Sequence, residues 1–406
     1  KINYISIMSH KSYDFRLYPT KEQEVLLSKH FGHNRFVYNH FLRMRSDFYL
    51  QNKNADKKSL NYYDCANKLT ELKKSEDTIW LKEVNSQTLQ QTLRQLDKAY
   101  NSFFQKKSKF PRYKKKLTKN SFTVPQHIKI EDGKLYIPKF KDGIKINLHR
   151  ELEGCICFVT IKKIPTGKYF CSVTCEVDIK KLPKTNSEVG IDLGLKEYAI
   201  LSDGTKYDNH RYFVKSQKKL VFQQRQLSKV KNKDSRTYKD RKLNVARVHE
   251  KISYQRKDAL HKISTDLIKN HDLICLEDLN VKGMTQNHKL AKHIQDASWS
   301  MFVSMLSYKA GWYGKEIVKI DRFFPSSKTC NECGWIKTDL TLKDREWVCE
   351  SCGFVHDRDI NASINILKQG LNIKSGSGTE SDSKQKLMES LSVDKAVKSE
   401  APESLA

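Results

Sequence analysis

EVGIDLGLKEYAILSDGTKY, residues 188–207, reads as a strand ending near Asp192, a tight turn, a second strand, an SDG turn and a third strand. Strongly basic helical sequence runs from roughly residue 213 to 270 and leads into LICLEDL (273–279), whose apolar run suits a buried strand. Another helix carries Trp299, Phe302, Leu306 and Trp312, and EIVKI (316–320) is again a strand. Strands and helices in this alternation predict an α/β domain.

Toward the N-terminus the period changes. SFTVP, HIKIEDGKLYIPKF, GIKINLH and GCICFVTIKKIPTGKYFCSVTCEV, from about residue 121 to 185, read as short strands with EDGK and PTGK as hairpin turns. They predict a small β-barrel or sandwich. KSYDFRLYPT (11–20) alternates through Tyr13, Phe15 and Leu17 before Pro19 and Thr20 end it. Thr20 with Gln23 forms a capping box for a helix bearing Val25, Leu26 and Leu27. Helical signals continue to about residue 104, clearest in the stripe Leu89, Leu93, Leu96, Tyr100 and Phe103. A lone N-terminal strand needs partners, so the β-domain is expected to include residues 13–18 and to carry the helical block as an insertion. The predicted class is multidomain α+β.

With 75 Lys and Arg against 47 Asp and Glu, the 406-residue chain carries +28 and attracts polyanions, nucleic acid first. Its 38% hydrophobic residues fill real cores and exclude a disordered chain. No apolar run approaches the roughly 18 to 20 residues of a spanning helix, and no signal-peptide pattern opens the chain. No membrane partner and a cytoplasmic, nucleoid-associated location are therefore expected. QKKSKFPRYKKK (105–116) interleaves Lys106, Lys107, Lys109, Arg112, Lys114, Lys115 and Lys116 with Phe110 and Tyr113. That composition suits a surface that tracks a nucleic-acid backbone and stacks bases, with a solvated loop as the alternative. Residues 1–7 precede Met8 and receive no function, and the near-neutral tail after residue 370 is expected not to fold alone.

Ten cysteines in a chain of this length and charge suggest metal rather than disulfides. Cys330-x2-Cys333 and Cys349-x2-Cys352, each pair followed by glycine, make two knuckles able to close a tetrahedral structural zinc site. Cys65, Cys155, Cys157, Cys171, Cys175 and Cys275 are expected to be buried thiols. The carboxylates pose a different problem. Asp192 in GIDLG and Glu277 in LICLEDL are single acids at the ends of apolar strands, where an unpaired buried charge is costly. A third acid stands near the start of a late helix, in VHDRDINASINI (355–366). Together they form a cluster able to hold two divalent ions, activate water and stabilise the leaving oxygen of a phosphodiester.

FRLYPTKEQ, RFVYNHFL, GIDLGLKEYAILSDG, LICLEDLNVKGM, FFPSSKTCNECG and CGFVHDRDINASINIL occur in this order, and the chain from about residue 11 to 370 resembles the TnpB family, transposon-encoded nucleases related to type V CRISPR effectors. The resemblance implies an N-terminal extension with the first wedge strand (1–20), a helical recognition domain (21–120) and a wedge β-barrel (121–186). It further implies a RuvC-like, RNase H-type nuclease domain (187–325 and 355–370) interrupted by a zinc ribbon (326–354), and a tail (371–406). It implies magnesium or manganese at Asp192, Glu277 and Asp359 as catalytic acids, zinc at the four cysteines, a transposon-derived guide RNA, and a double-stranded DNA target beside a short motif that the protein reads. His33 stands where members often have cysteine, and Ser363 where alanine is common.

A non-catalytic zinc-ribbon nucleic-acid binder and a strand-transfer transposase remain the competing readings, since hydrolysis and transfer use the same metal ligands. Arg358 is expected either to contact the scissile phosphate or to neutralise Asp357, which is given a supporting role. Arg322 and Lys328, flanking FFPSS, are candidate phosphate contacts, and His356 is read as packing beside the thiolates rather than binding metal.

Overall fold

β1 (Met8–Tyr18) buries Tyr13, Phe15 and Leu17 on one face, as their alternation requires. The computed structural model describes residues 8–54, 59–116, 120–341 and 343–376, so the expectations for residues 1–7 and for the end of the tail lie outside the described residues. The chain divides into two compact units, broken between Asp178 and Ile179.

In the first unit α1 (Lys21–Gln51) begins at the expected capping box: Gln23 N–H donates to Thr20 Oγ1 at 3.3 Å and Thr20 N–H to Gln23 Oε1 at 3.1 Å. α2 (Tyr62–Leu72), a 3-10 helix (Glu76–Glu83) and α3 (Ser86–Phe104) complete the helical block, with Phe41, Leu89, Leu93 and Leu96 in its core. β2 (Asn120–Val124), β3 (Lys129–Glu131), β4 (Lys134–Ile137), β5 (Phe140–Asn147), β6 (Cys155–Lys163) and β7 (Tyr169–Asp178) follow. They join β1 in one antiparallel sheet of order β2-β6-β7-β1-β5-β4-β3, so the N-terminal strand lies centrally between strands that come much later. The sheet is open, since its end strands β2 and β3 do not neighbour each other. Asp132 and Gly133, at φ 49° and 67°, make the tight turn of the EDGK hairpin.

Cys155 and Cys157 correct the expectation of six buried thiols: Cys155 is exposed and Cys157 half-buried, whereas Cys65, Cys171, Cys175 and Cys275 are buried. β2 covers β6 only from Val159 to Lys163, and a bulge between Ile156 and Phe158 breaks the alternation that would have buried the pair.

The second unit is built on β8 (Glu188–Asp192), β9 (Glu197–Leu201), β10 (Lys206–Asp208), β11 (Leu273–Glu277) and β12 (Glu316–Ile320), in the order β10-β9-β8-β11-β12. β8, β11 and β12 run parallel, β9 returns antiparallel to β8, and β10 pairs antiparallel with β9. The helices are α4 (Tyr212–Ser228), α5 (Arg236–Asn270), α6 (Val281–Met284), α7 (Ala291–Ala297), α8 (Trp299–Tyr313) and α9 (Arg358–Ser375). Ile274 and Leu276 of β11 share a core with α5 and α8, while Leu273 and Cys275 share another with Ile366 of α9. A strand covered on both faces needs an unbroken apolar run, and LICL supplies it.

Two glycines let α9 lie directly on this sheet. A Cβ on Gly190 would meet the Ser363 carbonyl oxygen at 2.0 Å, and one on Gly370 would meet Cys275 Sγ at 2.2 Å. α9 continues to Ser375, past the expected boundary at residue 370, and Lys374 pairs with Glu316 at 3.1 Å. Ile364 of α9 is only half-buried, and Asn361 and Asn365 take core positions beside Ala362 and Ile366. Between β12 and α9 lies the cysteine segment, with β13 (Glu346–Val348) paired antiparallel to β14 (Val355–Asp357). Among the described residues no helix is long and apolar enough to cross a membrane.

Candidate active site and metal centre

β8 ends in Asp192 and β11 in Glu277. Their register pairs Ile191 with Leu276, so the two acids finish adjacent parallel strands, at the carboxyl edge where open α/β sheets hold ligands. Asp359 opens the first turn of α9, the helix that Gly190 admits onto β8. Burial foremost, then the charges of Glu277 and Asp359, push the Asp192 carboxyl up to about 7, against a smaller pull from Arg358. Burial also raises Glu277, partly offset by the Ser326 hydroxyl, which donates to Glu277 Oε1 at 2.6 Å. Buried carboxylates raised in this way suit a hard divalent cation, whose charge relieves both the burial and the repulsion.

The crowding of charge at 357–359 has a local cause. Asp357 is the N-cap of α9, its Oδ1 accepting from Asp359 N–H at 3.0 Å and Ile360 N–H at 3.1 Å, and Lys206 pairs with its Oδ2 at 3.2 Å. Arg358 donates from Nε and Nη2 to Asp359 Oδ1 at 3.0 and 2.8 Å. Arg345, unnoticed in the sequence, reaches Asp359 Oδ2 at 3.1 Å.

The four cysteines form two matching turns. Gly334 N–H donates to Cys330 O at 2.9 Å and Cys330 N–H to Trp335 O at 2.7 Å; Gly353 and Cys349 repeat this at 2.8 Å and, to Phe354 O, 2.9 Å. All four Sγ lie within 4.8 Å of one another, with Cys330 and Cys352 separated by 3.7 Å and Cys333 and Cys349 by 3.6 Å. A tetrahedron with bonds of about 2.3 Å has edges of about 3.8 Å, so the cluster fits a closed four-thiolate metal site. His356 Nε2 lies 3.0 Å from Cys330 Sγ, a hydrogen bond to a cluster thiol, while its ring packs on Trp347.

Three family models match the chain: "Helix-turn-helix domain" over residues 8–54, "Probable transposase" over 171–288 and "Cas12f1-like, TNB domain" over 299–366. A protein of Streptomyces pristinaespiralis named "Putative RNA-guided DNA endonuclease" is 40% identical over 371 residues, 89% of each chain. The similarly named InsQ of Escherichia coli K12 is 32% identical over 378 residues, covering 89% of this chain and 92% of its own. The chain belongs to the TnpB family. In fold this TnpB member is similar to the solved structure of a Cas12f1–sgRNA–target DNA complex, with a TM-score of 0.56 at 14% identity over 89% of this chain and 99% of that one. The segment matched as helix-turn-helix is here a strand and one long helix, β1 and α1.

The basic residues of this TnpB member differ in availability. Lys106, Lys107, Lys109, Arg112, Lys115 and Lys116 are exposed. Lys114 instead lies 4.1 Å over the Tyr38 ring, and burial pushes its ammonium down to about 8. Phe110 packs edge-on to Tyr100 and Phe103, which anchors the loop, and Tyr113 beside it is exposed. Arg322 pairs with Asp278 at 2.9 Å, and Lys328 donates to the Thr338 carbonyl at 2.7 Å. No motif marks Ser326 or Asn365 in the sequence; the spacing of Asn361 and Asn365, one helical turn apart, is the signal that points to them.

Proposed function

We propose that this protein is a transposon-encoded RNA-guided DNA endonuclease, with a RuvC-like domain that hydrolyses phosphodiester bonds at Asp192, Glu277 and Asp359. What supports the reading is that Asp192 and Glu277 close adjacent parallel strands and that the charges of Glu277 and of Asp359, at the start of α9, both act on the buried Asp192 carboxyl. Their oxygens would hold magnesium or manganese, which when bound activates water and neutralises charge developing on a phosphodiester. Ser326 orients Glu277 and Arg358 orients Asp359 by hydrogen bonds. Cys330, Cys333, Cys349 and Cys352 would hold zinc as a structural ion, replacing the core that so short a segment lacks.

The net charge of +28 and the exposed cations at 106–116 support a guide RNA and double-stranded DNA as partners. Base pairing would supply sequence choice, the seven-stranded sheet would act as the wedge, and the protein would read a short adjacent motif. Purified protein should carry one RNA of defined sequence and cut a matching duplex only with magnesium or manganese. Cutting that ignores the RNA, or persists in excess EDTA, overturns the proposal.

A further inference from the structure

α9 carries two carboxamides where its neighbours are apolar. Asn361 and Asn365 are 1% and 4% exposed, beside the fully buried Ala362 and Ile366. Asn is an indifferent helix former, and a buried amide is costly unless its donors and acceptor are met. Here the main chain of one short loop, residues 326–331, meets the Asn361 oxygen and both amide nitrogens. Asn361 Oδ1 accepts from Asn331 N–H at 2.9 Å, and its Nδ2 donates to Thr329 O at 2.8 Å. Asn365 Nδ2 donates to Ser326 O at 2.9 Å and to Thr329 O at 2.6 Å. Lys368, on the same stripe, donates to Asn331 O.

The loop held in this way has two ends. At one, the Ser326 hydroxyl donates to Glu277 Oε1; at the other, Cys330 supplies the first thiol of the cluster. Apolar contact fixes a loop loosely, whereas hydrogen bonds to its carbonyls fix its register along the helix. Asp359 stands on that helix two residues before Asn361. One helix thus carries one acid of the site and, through the loop, orients another.

We propose that Asn361 and Asn365 are positioning residues that set Glu277 relative to Asp359 by keeping the Ser326 hydroxyl on Glu277. This rests on the reading of Glu277 and Asp359 as metal ligands. Groups hydrogen-bonded to metal ligands typically govern about ten- to hundred-fold in metal affinity.

The test uses the full chain with its RNA and follows Mn2+ binding by electron paramagnetic resonance, alongside zinc content and melting temperature. Ser326→Ala and Asn365→Ala should each weaken Mn2+ binding about ten-fold, with zinc retained. The double variant should be no weaker than either single one, because both remove the same contact. Ser326→Ala deletes only a hydroxyl, so it decides the matter even where Asn365→Ala fails to fold. Parental Mn2+ binding in Ser326→Ala, or additive losses in the double variant, overturns the inference. Glu277→Ala separates the two claims: parental Mn2+ binding there defeats the metal-ligand reading, whereas lost binding there with normal Ser326→Ala defeats only the positioning role.

Discussion

Arg345 Nη1 lies 3.1 Å from Asp359 Oδ2 while Arg358 occupies Oδ1, so guanidinium groups engage both oxygens of the acid on α9. A cation entering at Asp359 therefore competes with Arg345, which is half-exposed. Exposed ion pairs contribute about 0.2–1 kcal/mol, so Arg345→Ala should lower the magnesium concentration for half-maximal cleavage by about five-fold at most. Magnesium titration checks this, and an increased requirement contradicts it.

The cap at Asp357 and the acid at Asp359 should separate by assay. Asp357→Ala removes two N–H acceptors at the start of α9 and should cost about 1 kcal/mol in denaturant unfolding while cleavage persists at a reduced rate. Asp359→Ala should abolish cleavage with stability near the parent's. Equal loss of cleavage in both, with folding intact, contradicts the division of roles.

Much of this was legible in the sequence because it follows from local rules. The capping box at Thr20, the knuckle glycines and the acids closing LICLE and GID each satisfy a short-range demand. What could not be read depends on partners distant in sequence. Asn361 resembles any polar helix residue until Thr329 and Asn331 are brought against it. Arg345 finds Asp359 only because β13 pairs with β14. Cys155 looked buried because alternation says nothing of where a neighbouring strand stops or a bulge falls. Lys114 looked like its six basic neighbours because only the packed α1 presents Tyr38 to it.

Lys309 of α8 is buried and donates to His261 O at 3.0 Å and to Ser264 Oγ and Thr265 Oγ1 at 2.7 Å. Burial pushes its ammonium down to about 8 from an ordinary 10.5. Between those values the unfolded chain binds more protons than the folded one, so this lysine makes stability rise with pH. The stability of the parent relative to Lys309→Met should therefore improve from pH 7.5 to pH 10, read by urea unfolding of both. A flat or falling difference contradicts the assignment.

Removing the cluster metal should act beyond the ribbon. Cys330 ends the loop that begins at Ser326, so Cys352→Ser should lose bound zinc, lower the melting temperature and raise the magnesium requirement. Elemental analysis with the same titration checks it. Zinc loss with an unchanged magnesium requirement contradicts the coupling.

Asp192 is the acid that burial, Glu277 and Asp359 together push up to about 7. RNA-loaded Asp192→Asn should bind its matched DNA duplex, keep its zinc and melt like the parent, yet fail to cut with magnesium present. Cleavage at the parental rate by that variant would contradict the site.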